Sequence, residues 1–442
     1  VVENQVRNDF LTANLNATAT FNDALKLRFG GQYRDGDFTS GQAQRATTVS
    51  GITPSLPAGT SLASLTRQID GFGRGLGGGV PSGWVAADYD RFNRVFGLES
   101  NTGVFQLVGV GPNSQALGSN FSVNEQVTGG FVQLDFETNL LPFTTRGNVG
   151  ARYVRTDVET KGYVILPAPT FFQAAVIERT YDDLLPSLNL AAEVTPELQL
   201  RLSAARVMSR PPLSLLNPGG TISTVSRGLT IGNPDLDPVR ANTLDLAAEY
   251  YFGTGGLVSL GLFYKDIEST VQVVRRLVPF SETGLPPSIL QGSQATPDDL
   301  FQVTRAVNAQ GGPLEGFEIN YQQPFTFLPG LLSKFGTLLN YVHVSSEVDY
   351  VVGASAEQTV TTDLTGLSKH SANGTIYYDD GTFSIRASLN YRSGYLVTVP
   401  SGGPGSDVDG VRSSIFVDAS SSYALTDRLR LSLEATNLTN EW

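Results

Sequence analysis

Apolar and polar residues alternate one for one along most of the chain. In NTLDLAAEYYFGTGG (242–256), Leu244, Leu246, Ala248, Tyr250 and Phe252 fall on one side of an extended chain, and Thr243, Asp245, Ala247, Glu249 and Tyr251 on the other. Successive side chains of a strand point to opposite faces, so each such run reads as a strand with one greasy and one polar face. LTANLNATATF (11–21), residues 25–34 and FSIRASLNYR (383–392) repeat the pattern. Similar runs lie near 127–137, 146–156, 185–194, 198–208, 257–267, 315–323, 334–344, 371–379, 415–424 and 428–438, about fourteen strands in all. Helical periodicity is almost absent.

The connections alternate too. NDA (22–24), TPE (195–197), GTGG (253–256), DDG (379–381) and TD (426–427) carry the residues that tight hairpins need. Between these hairpins lie long segments, 35–125 being the longest, followed by about 158–183, 211–238, 268–312, 346–369 and 393–412. Short turns at one end and long loops at the other are the layout of a transmembrane antiparallel β-barrel. Phe21, Phe143, Tyr250, Phe252, Tyr378, Phe383 and Tyr423 cluster beside the short turns, where a barrel carries an aromatic girdle. A soluble sandwich or propeller also alternates, but it seldom needs loops this long. The greasy faces are therefore expected to meet lipid, and the polar faces a wet or plugged interior.

Composition narrows the chemistry. The 442 residues carry a net charge of −12 with no Cys, one Met and two His. Disulfides, thiolate metal sites and thiol nucleophiles are thereby excluded, and His343 and His370 alone are too few for a multi-histidine metal centre. The acidic balance argues against a nucleic-acid partner. No window approaches the roughly 18 apolar residues of a membrane-spanning helix. GRGLGG (73–78) fits G-x-G-x-x-G yet follows no strand, so it does not read as a dinucleotide site. SDVDG (406–410), with Asp407 and Asp409, reads as a turn rather than a calcium loop. No nucleophilic triad or carboxylate pair can be assembled, and neither an enzyme, a cofactor nor a metal site is expected.

Five segments carry a resemblance: TGGFVQLDFETNLLPFTTRGNVGARYVRTDVETKGY (128–163), DLLPSLNLAAEVTPELQLRLSAARVMSRP (183–211), GNPDLDPVRANTLDLAAEYYF (232–252), GLSKHSANGTIYYDDGTFSIRASLNYRSGYL (366–396) and VDASSSYALTDRLRLSLEATNLTNE (417–441). They resemble the barrel of TonB-dependent outer-membrane receptors, above all the large Xanthomonas–Caulobacter type. NPDLDP (233–238) resembles a motif at the extracellular approach to a strand in these barrels. In haem receptors a related motif sits near a haem-binding histidine, and none flanks it here.

The resemblance implies a barrel of about 22 strands around an N-terminal plug. Residues 1–442 then form one partial barrel domain holding about fourteen strands and the long extracellular loop 35–125, with the plug and the last strand outside this sequence. It also implies a Gram-negative outer membrane, lipid and lipopolysaccharide around the barrel, TonB as a partner through the plug, and energy-coupled uptake of a small extracellular ligand. The scarcity of His, Met and Cys disfavours haem, copper and zinc as cargo. A ferric siderophore or an oligosaccharide remains, and the Xanthomonas–Caulobacter resemblance, with the aromatic and acidic loop GFGRGLGGGVPSGWVAADYDRFNRVFGL (71–98), tilts the expectation toward carbohydrate. There Trp84, Tyr89, Phe92 and Phe96 can stack on a sugar or aromatic ring, with Asp88, Asp90 and Arg91 as hydrogen-bonding partners. The bland alternative is a short amphipathic helix packing on its own loop. Inward-facing Arg201, Asp245, Glu249, Glu318, Arg386 and Arg392 are candidates for a solute track, or for pairing with one another and the plug. Rival functions are a passive porin and a structural or adhesive barrel with envelope partner proteins.

Overall fold

The structure is a computed structural model describing residues 2–45, 55–71, 83–102, 105–108, 115–139, 142–165, 172–291, 293–352, 359–399 and 409–441. Fourteen strands, each hydrogen-bonded to the next, form one antiparallel meander. The first four are β1 (Val2–Asn22), β2 (Leu25–Arg45), β3 (Phe121–Thr138) and β4 (Thr144–Ile165). Then come β5 (Phe172–Glu193), β6 (Leu198–Ser209), β7 (Val239–Phe252), β8 (Gly256–Ile267) and β9 (Pro313–Pro324). The series ends with β10 (Phe335–Ser346), β11 (His370–Asp379), β12 (Phe383–Arg392), β13 (Ser414–Thr426) and β14 (Leu429–Ala435).

All five tight connections are turns, for local reasons. Gly253 and Gly255 turn the β7–β8 link at positive φ, which only glycine adopts cheaply. At the β11–β12 link Asp379 Oδ1 accepts from Gly381 N at 2.8 Å, and Asp380 Oδ1 accepts from Phe383 N at 2.7 Å and Thr382 N at 2.9 Å. Beside these turns the aromatics meet: Phe335 and Tyr378 at 5.0 Å, Tyr378 and Phe383 at 6.1 Å, Tyr250 and Phe252 at 6.0 Å.

Strand ends differ from the alternation at the long-loop side. The ladder of β2 and β3 continues to Ser40 opposite Phe121, and β4 and β5 pair up to Ile165 opposite Phe172, so the connections expected at 35–125 and 158–183 shrink to 46–120 and 166–171. Backbone pairing persists there although the apolar face has ended, and period two fails as a signal once neither face needs lipid. The connections expected at 211–238 and 268–312 hold structure of their own. Strands Gly220–Ser223, Gly228–Ile231, Leu300–Gln310 and Ser269–Pro279 form a separate four-stranded sheet in that order.

That small sheet folds back onto the large one as an inner cap. Val123 of β3 and Val158 of β4, on the same face as Asp135 and Asn148 lower down those strands, pack with Leu216, Leu236 and Ala306 from the connecting segments. Phe280, Ile289, Leu290 and Phe301 make a second small core within the cap. Burial is confined largely to this layer, while the opposite face leaves Val132, Val149, Leu184, Leu244, Leu246, Leu260, Leu262, Leu339 and Ile385 exposed, as a lipid-facing sheet requires. Two glycines allow the close approach. A Cβ on Gly219 would stand 1.9 Å from the Tyr163 carbonyl oxygen of β4, and one on Gly118 1.8 Å from the Gly220 carbonyl oxygen.

Candidate functional site

The register places Arg201, Asp245, Glu249, Glu318, Arg386 and Arg392 on one face of the large sheet, the face that carries the cap. At one level Asp135, Asn148, Asn189, Ser203 and Asp245 stand opposite one another in sequence across β3 to β7. Asn189 donates to Asn148 Oδ1 at 3.0 Å, Ser203 donates to Asn189 Oδ1 at 2.9 Å, and Arg28 pairs with Asp135 at 2.6 Å. This row borders a hollow of about 660 Å³ that reaches Asp23 and Ala24 of the β1–β2 turn and whose lining includes Arg28, Arg146, Arg201, Asp245 and Glu318.

The side chains of this face spend much of their bonding on one another. Arg201 pairs with Glu249 at 2.8 Å, and Tyr251 Oη donates to the same carboxylate at 2.8 Å. Glu318 Oε1 accepts from Asn340 at 2.6 Å and from Asn320 at 3.1 Å. Arg386 lies opposite Tyr377 and Ser420 in the ladder. Arg392 is engaged higher up, donating to Ser368 Oγ at 2.7 Å and the Gly366 carbonyl at 2.9 Å while lying over the Tyr395 ring at 4.1 Å.

Sequence reasoning missed a second row on this face. Ser259, Asn320, Asn340, Asn373 and Asn390 stand opposite one another in turn from β8 to β12. Asn340 donates to Asn320 Oδ1 at 2.7 Å, and Asn373 to Asn340 Oδ1 at 3.4 Å. The usable signal was asparagine, a poor strand former, recurring mid-strand in EIN, LLN, SAN and SLN.

The loop candidates lie apart from this face on a small module. Trp84 sits on the strand Gly83–Ala87, paired with Thr66–Asp70. Asp88 caps helix α1 (Tyr89–Phe96), accepting from Arg91 N at 3.1 Å, and Gly97 ends it in the left-handed conformation. Tyr89 donates to Glu99 at 2.9 Å, and Arg91 reaches the carbonyls of Ser64 at 3.2 Å and Thr66 at 3.3 Å. Phe92 and Phe96 meet at 5.8 Å, and Asp90 lies in the first helical turn, where its charge suits the helix dipole. The short-helix alternative therefore describes residues 89–96, while Trp84 and Tyr89 keep 53% and 54% of their surface exposed. Residues 73–78 and Asp407 lie outside the described residues.

NPDLDP is the pin between cap and barrel. Asn233, buried, donates to the Ala306 carbonyl at 3.0 Å and accepts from Asp235 N at 3.1 Å. Asp237 pairs with Arg179 of β5, and its backbone exchanges two hydrogen bonds with the Asn308 side chain at 2.8 and 3.0 Å. Beneath it Arg240 pairs with the buried Asp183 at 2.5 Å.

The family described as TonB dependent receptor-like, beta-barrel matches residues 3–438. The chain belongs to that family. Among curated proteins, none matches the sequence. Solved receptors match its fold: the copper transporter OprC at 14% identity with a TM-score of 0.61, the siderophore receptor PiuA from Acinetobacter baumannii at 15% and 0.56, and the ferric citrate transporter FecA at 11% and 0.55. Each alignment covers 99% of this chain, but only 52%, 52% and 50% of those proteins, so the chain spans about half their length. TonB-dependent receptor barrels reside in the outer membrane and serve transport rather than catalysis. The exposed apolar face is the side such a barrel turns to lipid.

Proposed function

We propose that this chain is the barrel part of an outer-membrane transporter that takes up a scarce organic ligand, an oligosaccharide or a ferric siderophore, with energy delivered by TonB through a plug. The observation that carries the proposal is the polar face itself. The row from Asp135 to Asp245 lines the hollow of about 660 Å³, the asparagine row continues across β9 to β12 on the same face, and together they offer donors and acceptors at close spacing along a path rather than one reactive centre. Neutral amides in rows suit the hydroxyls of a sugar chain, which favours carbohydrate over siderophore. Trp84 and Tyr89 supply rings on the loop side for first capture, with Asp88, Asp90, Arg91, Phe92 and Phe96 holding the loop in shape. The surrounding partners are lipid and lipopolysaccharide, and envelope proteins have the long loops to dock on.

The test is uptake in the native cell. A strain lacking the receptor is complemented with the full-length protein, and accumulation of labelled oligosaccharides and ferric siderophores is followed with and without TonB. Ligand-specific uptake that disappears without TonB supports the proposal. Uptake that persists without TonB is the behaviour of a passive porin, and absence of uptake of any ligand, with loop-dependent retention of an envelope protein, is that of a structural barrel.

A further inference from the structure

The chain has two histidines, and the fold puts them against each other. His343 of β10 and His370 of β11 are direct cross-strand partners, although 26 residues separate them in sequence. Their ring centroids are 4.8 Å apart and their Nδ1 atoms 3.4 Å. Tyr341, two residues before His343, brings its Oη to 2.8 Å from His370 Nδ1, and the Phe317 ring lies 5.5 Å from His343. The group sits on the apolar face, since His343 shares the parity of Tyr341 and Leu339, away from Asn340 and the polar hollow.

Its height is that of the outer interface. His343 is eight residues along the strand from Phe335 of the girdle at the short turns. That is about 27 Å of strand, or about 20 Å of height at a barrel tilt of ~40°, close to the upper edge of the apolar band. Both imidazoles are half-buried, and Glu315 lines the same outer hollow as His343.

His370 Nδ1 faces two partners at once. His370 Nδ1 carries either one N–H or one lone pair, so it can serve Tyr341 or His343 but not both. A cation that takes lone pairs from both Nδ1 atoms replaces both contacts and leaves the Tyr341 hydroxyl to face the cation or a water bound to it. Two imidazole nitrogens bound at about 2.05 Å stand ~3.35 Å apart at a tetrahedral angle and ~2.9 Å apart at the right angle of a tetragonal ion, so the observed 3.4 Å matches the first and has to close by about 0.5 Å for the second. We infer that His343 and His370 form a surface site for a late first-row divalent cation such as Cu²⁺, Ni²⁺ or Zn²⁺, with the Tyr341 phenol beside it. Imidazole nitrogen selects these ions over Ca²⁺ and Mg²⁺, which take oxygen ligands. Among the described residues no set of three or more His, Cys, Asp or Glu side chains is gathered for a metal, so water completes the shell.

The site is on the opposite face from the transport path, and its test stands apart from that of the proposed function. Tag-free, full-length receptor in detergent is titrated with Cu²⁺ in the presence of excess Ca²⁺, and the copper is followed by electron paramagnetic resonance. The expected result is one Cu²⁺ per chain with hyperfine structure from two imidazole nitrogens. His343→Gln and His370→Gln each abolish the two-nitrogen signal, while Tyr341→Phe, which removes a hydroxyl that competes with the cation for His370 Nδ1, keeps it. Heat-modifiable migration on gels reports whether the variants fold. Protection of both histidines of the unmutated protein from diethyl pyrocarbonate by Cu²⁺ provides a reading independent of them. A copper signal without two nitrogens, one that survives in the double variant, or absence of protection overturns the assignment.

Discussion

Replacing Leu236 by Ala tests whether the inner cap is a separable layer. Leu236 is 2% exposed and packs with Val123, Val158, Leu216 and Ala306, so the change empties space where cap meets barrel. Such truncations cost about 2–5 kcal/mol, combining lost burial with the cavity left behind. At ~3 kcal/mol the equilibrium for lifting the cap shifts by about two orders of magnitude, since each ~1.4 kcal/mol is tenfold. The large sheet holds its own ladder and is not expected to follow. Native-state hydrogen exchange read by mass spectrometry separates the two layers. In Leu236→Ala, peptides within 213–231 and 269–310 exchange about a hundredfold faster, while those of β11 to β13 keep their rates. Uniform acceleration across both layers, or unchanged cap rates alongside a lower melting temperature, would refute the layered description.

Gly219→Ala places a methyl group where the Tyr163 carbonyl already stands, and it loosens the same peptides while leaving the girdle intact, again by exchange. Asp380 holds the β11–β12 turn, and hydrogen bonds from the backbone of Phe383 first, then Thr382 and Tyr378, keep its carboxyl below the ordinary carboxylate range. Because its folded value is depressed, that contribution is present above the ordinary carboxylate value and is lost as pH falls through the folded one. The melting difference between wild type and Asp380→Ala is therefore expected to shrink on acidification, and a difference that grows is the contrary result. Arg201→Gln breaks a partly exposed pair with Glu249, so stability changes by at most about 1 kcal/mol. If the polar rows carry ligand, uptake falls in this variant while surface capture, measured by ligand retention on whole cells, is unchanged.

The strands facing lipid were legible because the bilayer enforces one apolar side chain in every two, as in Leu244, Leu246 and Ala248. The turns were legible through their Gly and Asp residues. Above the bilayer that constraint lapses. In RTDVETKGYVI (155–165) alternate residues Val158 and Thr160 are buried under the cap, and no local pattern announces a roof contributed by residues 213–236 and 306. The site was legible as a list but not as an arrangement. Parity placed Arg201, Asp245 and Glu318 on one face, whereas the rows joining Asn148 to Asn189 and Asn320 to Asn340 depend on register between strands, which a single sequence does not state. The pairing of His343 with His370 depends on the same register and is invisible in the sequence.

Within the cap, Gly228–Ile231 runs parallel to Gln302–Arg305, and between these segments the chain makes the whole β7–β8 hairpin. The two partners are separated by roughly seventy residues, a long-range contact of the kind that slows folding. A one-residue slip in that hairpin would carry Leu300–Gln310 out of step with Thr230, so the roof's pairing depends on the register of the strands below it. The same pairing thus couples the roof to the sheet beneath it, so that a shift of register on one side of the hairpin is felt on the other.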